Sequence, residues 1–274
     1  MNYKMIVTDL DDTLLDKNGK VSLEDKKAIM EAQEKGVKFV LASGRPTYAM
    51  KDLAKELNLS KYGSYILSFN GGIITECSTN NIILKETLSV EDIHKLYAFS
   101  KEENIHIITY IDDQIISETE SEYIDVEVNL TKMPHNLVKS FKEEVKKDSV
   151  KCIILSEPTH LKEMEKKLIE KYGEEYSIAI SKPFFLEVTK KGVDKGQSLL
   201  RLADILDIDS KEIIAVGDSY NDISMLEVAG LSVAVENAKE EVKNIVDYIT
   251  KSNNDGGMAH LIEKFIFNGD NVKF

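Results

Sequence analysis

Lys4 to Asp9 reads KMIVTD, and Asp11 and Asp12 follow at once, so a nearly unbroken apolar stretch ends abruptly in carboxylates. A strand apolar on both faces belongs inside a parallel sheet covered on both sides, and its C-terminal end is where such a sheet opens on a site. The next segments keep a strand-and-helix rhythm. Ser22 with Asp25 reads as a capping box, Ala28, Ile29 and Ala32 recur at helical spacing, and Gly36 stops the helix. A second strand is expected at Val37 to Ala42. A second helix opens at Pro46, with Met50, Leu53, Ala54 and Leu57 on one face, and a third strand runs from Tyr65 to Phe69. This alternation predicts a parallel sheet with helices on its faces.

After the turn signal Asn70-Gly71-Gly72 the pattern changes to shorter strands. Ser89 with Asp92 caps a helix bearing Ile93, Leu96 and Tyr97. Strands are expected at Ile105 to Ile111, Gln114 to Ser117, Val150 to Leu155, Tyr176 to Ile180 and Phe184 to Val188, with helices near Val138 to Lys146 and through Leu161, Met164 and Leu168. Strands paired first by hairpins and then separated by helices read as a small α+β unit. From Lys195 the βα rhythm returns, with strands at Glu212 to Val216 and Leu231 to Val235 and a short one near Tyr248. The expectation is a discontinuous core of residues 1–83 plus 187–274, interrupted by an inserted α+β domain at 84–186.

Composition narrows the function. With 42% hydrophobic and 30% charged residues, the chain is neither disordered nor fibrous. A formal net charge of −13 argues against nucleic acid or anionic lipid as a general partner. No apolar run approaches the roughly 20 residues needed to span a bilayer, and polar residues interrupt the N-terminus, so a cytosolic protein is expected. Cys77 and Cys152 lie far apart without CxxC spacing, which disfavours a disulfide framework or a cysteine zinc site.

Four clusters stand where predicted strands end or helices begin: Asp9-Leu10-Asp11-Asp12-Thr13, Ser43-Gly44-Arg45-Pro46, Lys195-Gly196, and Gly217-Asp218-Ser219-Tyr220-Asn221-Asp222. In open α/β sheets ligands bind at that rim, above the point where strand order reverses. If the strands ending near Asp9 and Asp218 are neighbours, these carboxylates meet, and crowded carboxylates hold protons more tightly unless a cation neutralises them. Oxygen donors without His or Cys point to Mg²⁺ rather than zinc. Singly, each cluster has an ordinary reading. A D-x-D pair is often a solvated strand end or the metal pair of another enzyme class; Ser43-Gly44 suits a strand-to-helix turn; Arg45 and Lys195 suit solvated surface cations. Their order and placement together favour one site. No dinucleotide or P-loop glycine motif is present, and the histidines lack metal-ligand spacing.

With the stretches DLDDTLL, ASGRP, NGG, VDKG and GDSYND in this order, the chain resembles a haloacid dehalogenase (HAD) superfamily phosphatase of the Cof type over essentially its whole length. The resemblance implies an α/β fold, a Rossmann-like parallel-sheet core with an inserted α+β cap domain of the C2 type that closes over the site. It implies Asp9 as a nucleophile forming an aspartyl-phosphate and Asp11 as the acid and base for the leaving group and water, with Thr13 orienting Asp11 by a hydrogen bond. It places Mg²⁺ on the Asp9 and Asp218 carboxylates and the Asp11 backbone carbonyl, with Asp222 holding a coordinated water. Ser43, the Gly44 and Leu10 amides, Lys195 and Asn221 would grip the phosphoryl oxygens, with Arg45 either joining them or pairing structurally. Asp12 departs from the pattern, since many relatives carry Gly there. The negative net charge is screened within about 8 Å, and Mg²⁺, Lys195 and helix-start amides would make the site itself positive. The implied substrate is a small phosphorylated metabolite: a sugar phosphate, a nucleotide or a phosphorylated cofactor. A phosphomutase or phosphotransferase using the same phospho-aspartate is the rival enzyme reading, and a silent phosphate-ligand binder acting in regulation is the rival of another class. Asp11 speaks against the last, because binding alone needs no second carboxylate placed for proton transfer.

Overall fold

Every residue of β1 (Met5–Thr8) is buried, as expected of a strand covered on both faces. In the computed structural model, which describes residues 3–268, α1 (Leu23–Glu34), β2 (Lys38–Ala42), α2 (Thr47–Glu56) and β3 (Tyr65–Ser68) follow in the expected alternation. Ser22 caps α1 by accepting from the Asp25 amide. Pro46 sits at the N-cap of α2, one position earlier than a first helical residue, with extended backbone that suits its fixed φ. The chain then turns through Phe69-Asn70-Gly71, all with positive φ, so that β4 (Ile73–Glu76) returns antiparallel to β3, and β5 (Ile82–Lys85) comes next.

The inserted segment contains α3 (Val90–Glu102), β6 (His106–Ile111), β7 (Gln114–Ser117), α4 (Glu122–Thr131), β8 (His135–Leu137), α5 (Phe141–Glu144), β9 (Lys151–Leu155), α6 (Pro158–Tyr172), β10 (Tyr176–Lys182) and β11 (Phe185–Lys190). The expected helix over Val138 to Lys146 shrinks to the single turn of α5, whose Phe141 is buried in the unit's core. The chain returns through α7 (Lys195–Ile205), β12 (Ile213–Gly217), α8 (Ile223–Val228), β13 (Leu231–Ala234), α9 (Glu240–Lys243), β14 (Tyr248–Ile249) and α10 (Gly257–Ile262).

Two compact units result, one ending at Leu84 and resuming at Asp194, the other spanning Lys85–Val193. The second junction therefore falls at 193 rather than 186. The physical reason is β11: it pairs antiparallel with both β10 and β9, so its hydrogen bonds commit all of it to the inserted sheet. That sheet has the order β10-β11-β9-β6-β7-β8 and a core of its own, including Ile93, Leu96, Phe141, Cys152, Leu161 and Leu186.

The first unit is built on an eight-stranded sheet of order β14-β13-β12-β1-β2-β3-β4-β5. From β14 to β3 the strands are parallel. From β1 the chain proceeds outward through β2 and β3, whereas β12, β13 and β14 proceed outward on its other side. The strand order therefore reverses at the β1–β12 pair, where a crevice opens beyond the carboxyl ends. Thr8 lies opposite Val216, and the Asp9 amide donates to the Val216 carbonyl at 3.0 Å, so Asp9 emerges beside Gly217 and Asp218. Among the described residues no helix is long and apolar enough to cross a membrane.

Candidate active site

Register alone puts Asp9 next to the 217–222 loop; two glycines let the remaining parts close in. A Cβ on Gly217 would come within 2.5 Å of the Asp222 Cβ, so only glycine lets this loop fold back onto the end of β12. A Cβ on Gly196 would come within 2.2 Å of the Ser224 carbonyl, so glycine also lets the start of α7 press against α8. Asp194 caps α7 by accepting from the Gln197 amide at 2.9 Å. Lys195, at the first helical position, is thereby driven inward and fully buried.

There its ammonium donates to Asp9 Oδ1 at 2.5 Å and to Asp222 Oδ1 at 2.6 Å. The other oxygen of Asp222 accepts from the Asp218 and Ser219 amides at 2.9 and 3.0 Å, so Asp222 fixes both the lysine and the turn that carries Asp218. Oxygens of Asp9, Asp218 and Asp222 all lie within 4.8 Å of one another. The local balance is three carboxylates against one ammonium, an excess of negative charge in a water-poor site.

Proton affinities respond accordingly. Burial pushes the Asp9 carboxyl up to about 8, with Lys195 pulling it down and Asp222 and Asp218 adding to the rise. Burial likewise raises Asp218 to about 6, partly offset by the Thr13 hydrogen bond. For Lys195, burial disfavours the charge, but Asp9 and Asp222 together hold its ammonium above the ordinary lysine range. The cluster fits a hard divalent cation on two grounds: its donors are all oxygen, and Asp9 and Asp218, raised in proton affinity by burial and by neighbouring carboxylates, stand where a cation would offset the excess negative charge.

Other anticipated residues fall as follows. Thr13, buried, donates from Oγ1 to Asp218 Oδ1 at 2.8 Å, so it orients Asp218 and not Asp11 as the sequence suggested. Asp11 is held instead by Arg45, whose Nε and terminal nitrogen donate to its two oxygens at 3.0 and 2.5 Å. The fork geometry matches a carboxylate well, so Arg45 here pairs with Asp11. Asp12 has φ 61, a left-handed conformation that a small polar residue tolerates and that explains glycine as its natural alternative. Leu10 is buried, and its carbonyl accepts from the Thr13, Leu14 and Leu15 amides, which curl the loop after β1. Ser43 is buried at the end of β2 with its hydroxyl accepting from the Arg45 amide at 3.2 Å.

Gly44 and Asn221 are joined through a residue the site reading omitted. Asn70 lies 3.2 Å from where a Gly44 Cβ would stand, and its Oδ1 accepts from Asn221 Nδ2 at 3.4 Å. Its signal was the NGG stretch, legible as a turn but silent about what its amide would touch.

Comparison with known proteins adds the family context. A family model described as haloacid dehalogenase-like hydrolase matches residues 6–262. A Bacillus subtilis protein named as a 5-amino-6-(5-phospho-D-ribitylamino)uracil phosphatase is 30% identical, covering 97% of each chain. A phosphoglycolate phosphatase of Methanobrevibacter smithii is 29% identical, over 97% of this chain and 100% of its own. The crystal structure of a haloacid dehalogenase-like hydrolase from Bacteroides thetaiotaomicron superposes with a TM-score of 0.91 at 35% identity, covering 96% of this chain and 99% of that one.

Proposed function

This chain belongs to the haloacid dehalogenase-like hydrolases and is a phosphatase of that family, and on that footing we propose that it hydrolyses small phosphomonoesters in a Mg²⁺-dependent reaction through a phosphorylated Asp9. The observation that carries the reading is the buried Asp9 carboxylate, set against Lys195 and within 4.8 Å of Asp218 and Asp222 at the sheet's switch point. Asp9 and Asp218 would hold the cation through their carboxylates, with the Asp11 carbonyl as a third ligand. Bound there, Mg²⁺ supplies charge that keeps Asp9 ionised and neutralises phosphoryl oxygens.

The chain's own groups divide the remaining work. An Asp9 oxygen attacks phosphorus, forming the carboxyl–phosphate bond as the bond to the leaving oxygen breaks. Asp11, once it leaves the Arg45 fork that occupies both its oxygens, gives that oxygen its proton and then takes one from the water that attacks the phospho-aspartate, returning Asp9 and releasing inorganic phosphate. Lys195, held by Asp222, keeps a fixed positive charge beside the nucleophile. Ser43 and the Gly44 and Leu10 amides, together with Asn221, complete the phosphoryl cradle.

The substrate class is a sugar phosphate, a nucleotide or a phosphorylated cofactor. The two curated relatives act, by name, on chemically different phosphates at nearly equal identity, which leaves the class broad. Hydrolysis of an aryl phosphate, assayed with Mg²⁺ and with chelator, tests the reading. Turnover is expected to vanish with chelator and to fall by about 10⁴-fold or more in Asp9→Asn, the scale of removing a nucleophile. Metal-independent turnover, or an active Asp9→Asn, would refute it.

A further inference from the structure

Segments that follow β1, β13 and β14 are laced together by side-chain amides and not by the sheet. Asn237, after β13, donates Nδ2 to the Asp12 carbonyl at 2.7 Å and accepts at Oδ1 from the Asn253 amide at 3.0 Å. Asn253, after β14 and buried, donates its own Nδ2 to the Leu15 carbonyl at 2.7 Å. Asn254 accepts from the Lys17 amide at 3.2 Å. The loop carrying Asp11, Asp12 and Thr13 is thus gripped at Asp12, Leu15 and Lys17 by one neighbouring pair of segments. A carboxamide suits such lacing because one end donates while the other accepts.

The first grip falls on a telling place. Asp12 has φ 61, and a left-handed backbone at a non-glycine residue persists where its surroundings hold it. Its carbonyl belongs to the same planar peptide as the Thr13 amide, so fixing that oxygen fixes the plane from which Thr13 departs. Thr13 then delivers its hydroxyl to Asp218 Oδ1 at 2.8 Å. Asn237 itself is exposed and makes neither of its contacts to the carboxylate cluster.

We infer that Asn237, backed by Asn253, is a positioning residue: it locks the Asp12–Thr13 peptide so that Thr13 meets Asp218 and the Asp11 backbone stays in register with the metal site. The inference rests on the reading of Asp9 and Asp218 as Mg²⁺ ligands. It assigns a function to a polar pair whose hydrogen bonds go to the loop backbone and not to the carboxylates, and it predicts coupling between that pair and metal affinity.

Two variants of the full chain test it. Asn237→Ala removes both hydrogen bonds; Asn237→Asp keeps the size and the acceptor for the Asn253 amide but replaces the Nδ2 donor with oxygen. Because the residue is exposed, both variants are expected to fold. Amide hydrogen exchange of the metal-free protein should quicken across residues 11–15 in both, and calorimetric titration with Mg²⁺ should show affinity weakened by about tenfold, the scale for groups that orient metal ligands. Unchanged exchange in that segment overturns the tether. Quickened exchange with wild-type Mg²⁺ affinity overturns its link to the site. A wild-type protein that takes up no Mg²⁺ would count against the metal reading and the link to it, while the tether itself is still decided by exchange measured without metal.

Discussion

At the scale of single residues the decisive object is Lys195, an ammonium fully buried between Asp9 and Asp222. Removing one partner of a buried ion pair leaves uncompensated charge, at a cost of about 3–5 kcal/mol. Lys195→Met should therefore destabilise the metal-free protein by that amount in urea unfolding at pH 7. A loss below about 1 kcal/mol would mean that the lysine is not the counter-charge described here. The lysine's presence in the site was legible from VDKG at a helix start, but its partners were not, because helical periodicity says nothing about contacts to a distant loop. Thr13 shows the same limit. The family resemblance implied Asp11 as its partner, whereas the folded chain offers Asp218 across the strand pair. Asn237 carried no signal at all, since an isolated asparagine in a loop is compatible with almost any environment.

At the scale of elements, the site depends on how closely a few of them approach. Gly217 ends β12 where any Cβ would strike Asp222. Gly217→Ala should push Asp222 off the Asp218 and Ser219 amides, costing about 1–3 kcal/mol of stability, typical of overpacking a tight site. Activity should fall more than stability explains, read as lower kcat in protein still folded at the assay temperature. A Gly217→Ala enzyme with wild-type kcat would contradict the close packing. The parallel strands were legible because strands buried on both faces are nearly continuous apolar runs, and β1, β2 and β12 each end in polar clusters at the rim. The boundary at β11 was not legible. The sequence places a strand at Phe184 to Val188 at the close of the inserted unit, yet the boundary expected at 186 cuts through it, and only its pairing with β9 and β10 carries it on to Lys190 within that unit. The turn at α5 was overread as a longer helix because a charged stretch around one buried phenylalanine mimics helical spacing.

At the scale of the whole molecule, the carboxylate cluster sets how stability varies with pH. Asp9 is raised to about 8 and Asp218 to about 6, both above the ordinary carboxylate range near 4, so the folded metal-free protein binds more protons than the unfolded chain between those limits. Their contribution is fully present below about pH 4 and is lost as pH rises through about 6 and then 8. With Mg²⁺ bound at Asp9 and Asp218 as proposed, the cation would compete with those protons, so a melting-temperature rise on adding it should be larger at pH 8 than at pH 5, measured by calorimetry at fixed Mg²⁺. An equal rise at both values would show that the cation does not bind where the protons do.

The central claim is that Asp9 becomes phosphorylated during turnover. Its most direct test is to quench the enzyme with acid during steady hydrolysis of an aryl phosphate, reduce any acyl phosphate with borohydride, and locate the product by mass spectrometry. The account predicts homoserine at position 9, formed with Mg²⁺ and substrate and absent with chelator or in Asp9→Asn. Steady turnover with no modification at Asp9, or with phosphate trapped on a different side chain, would contradict it.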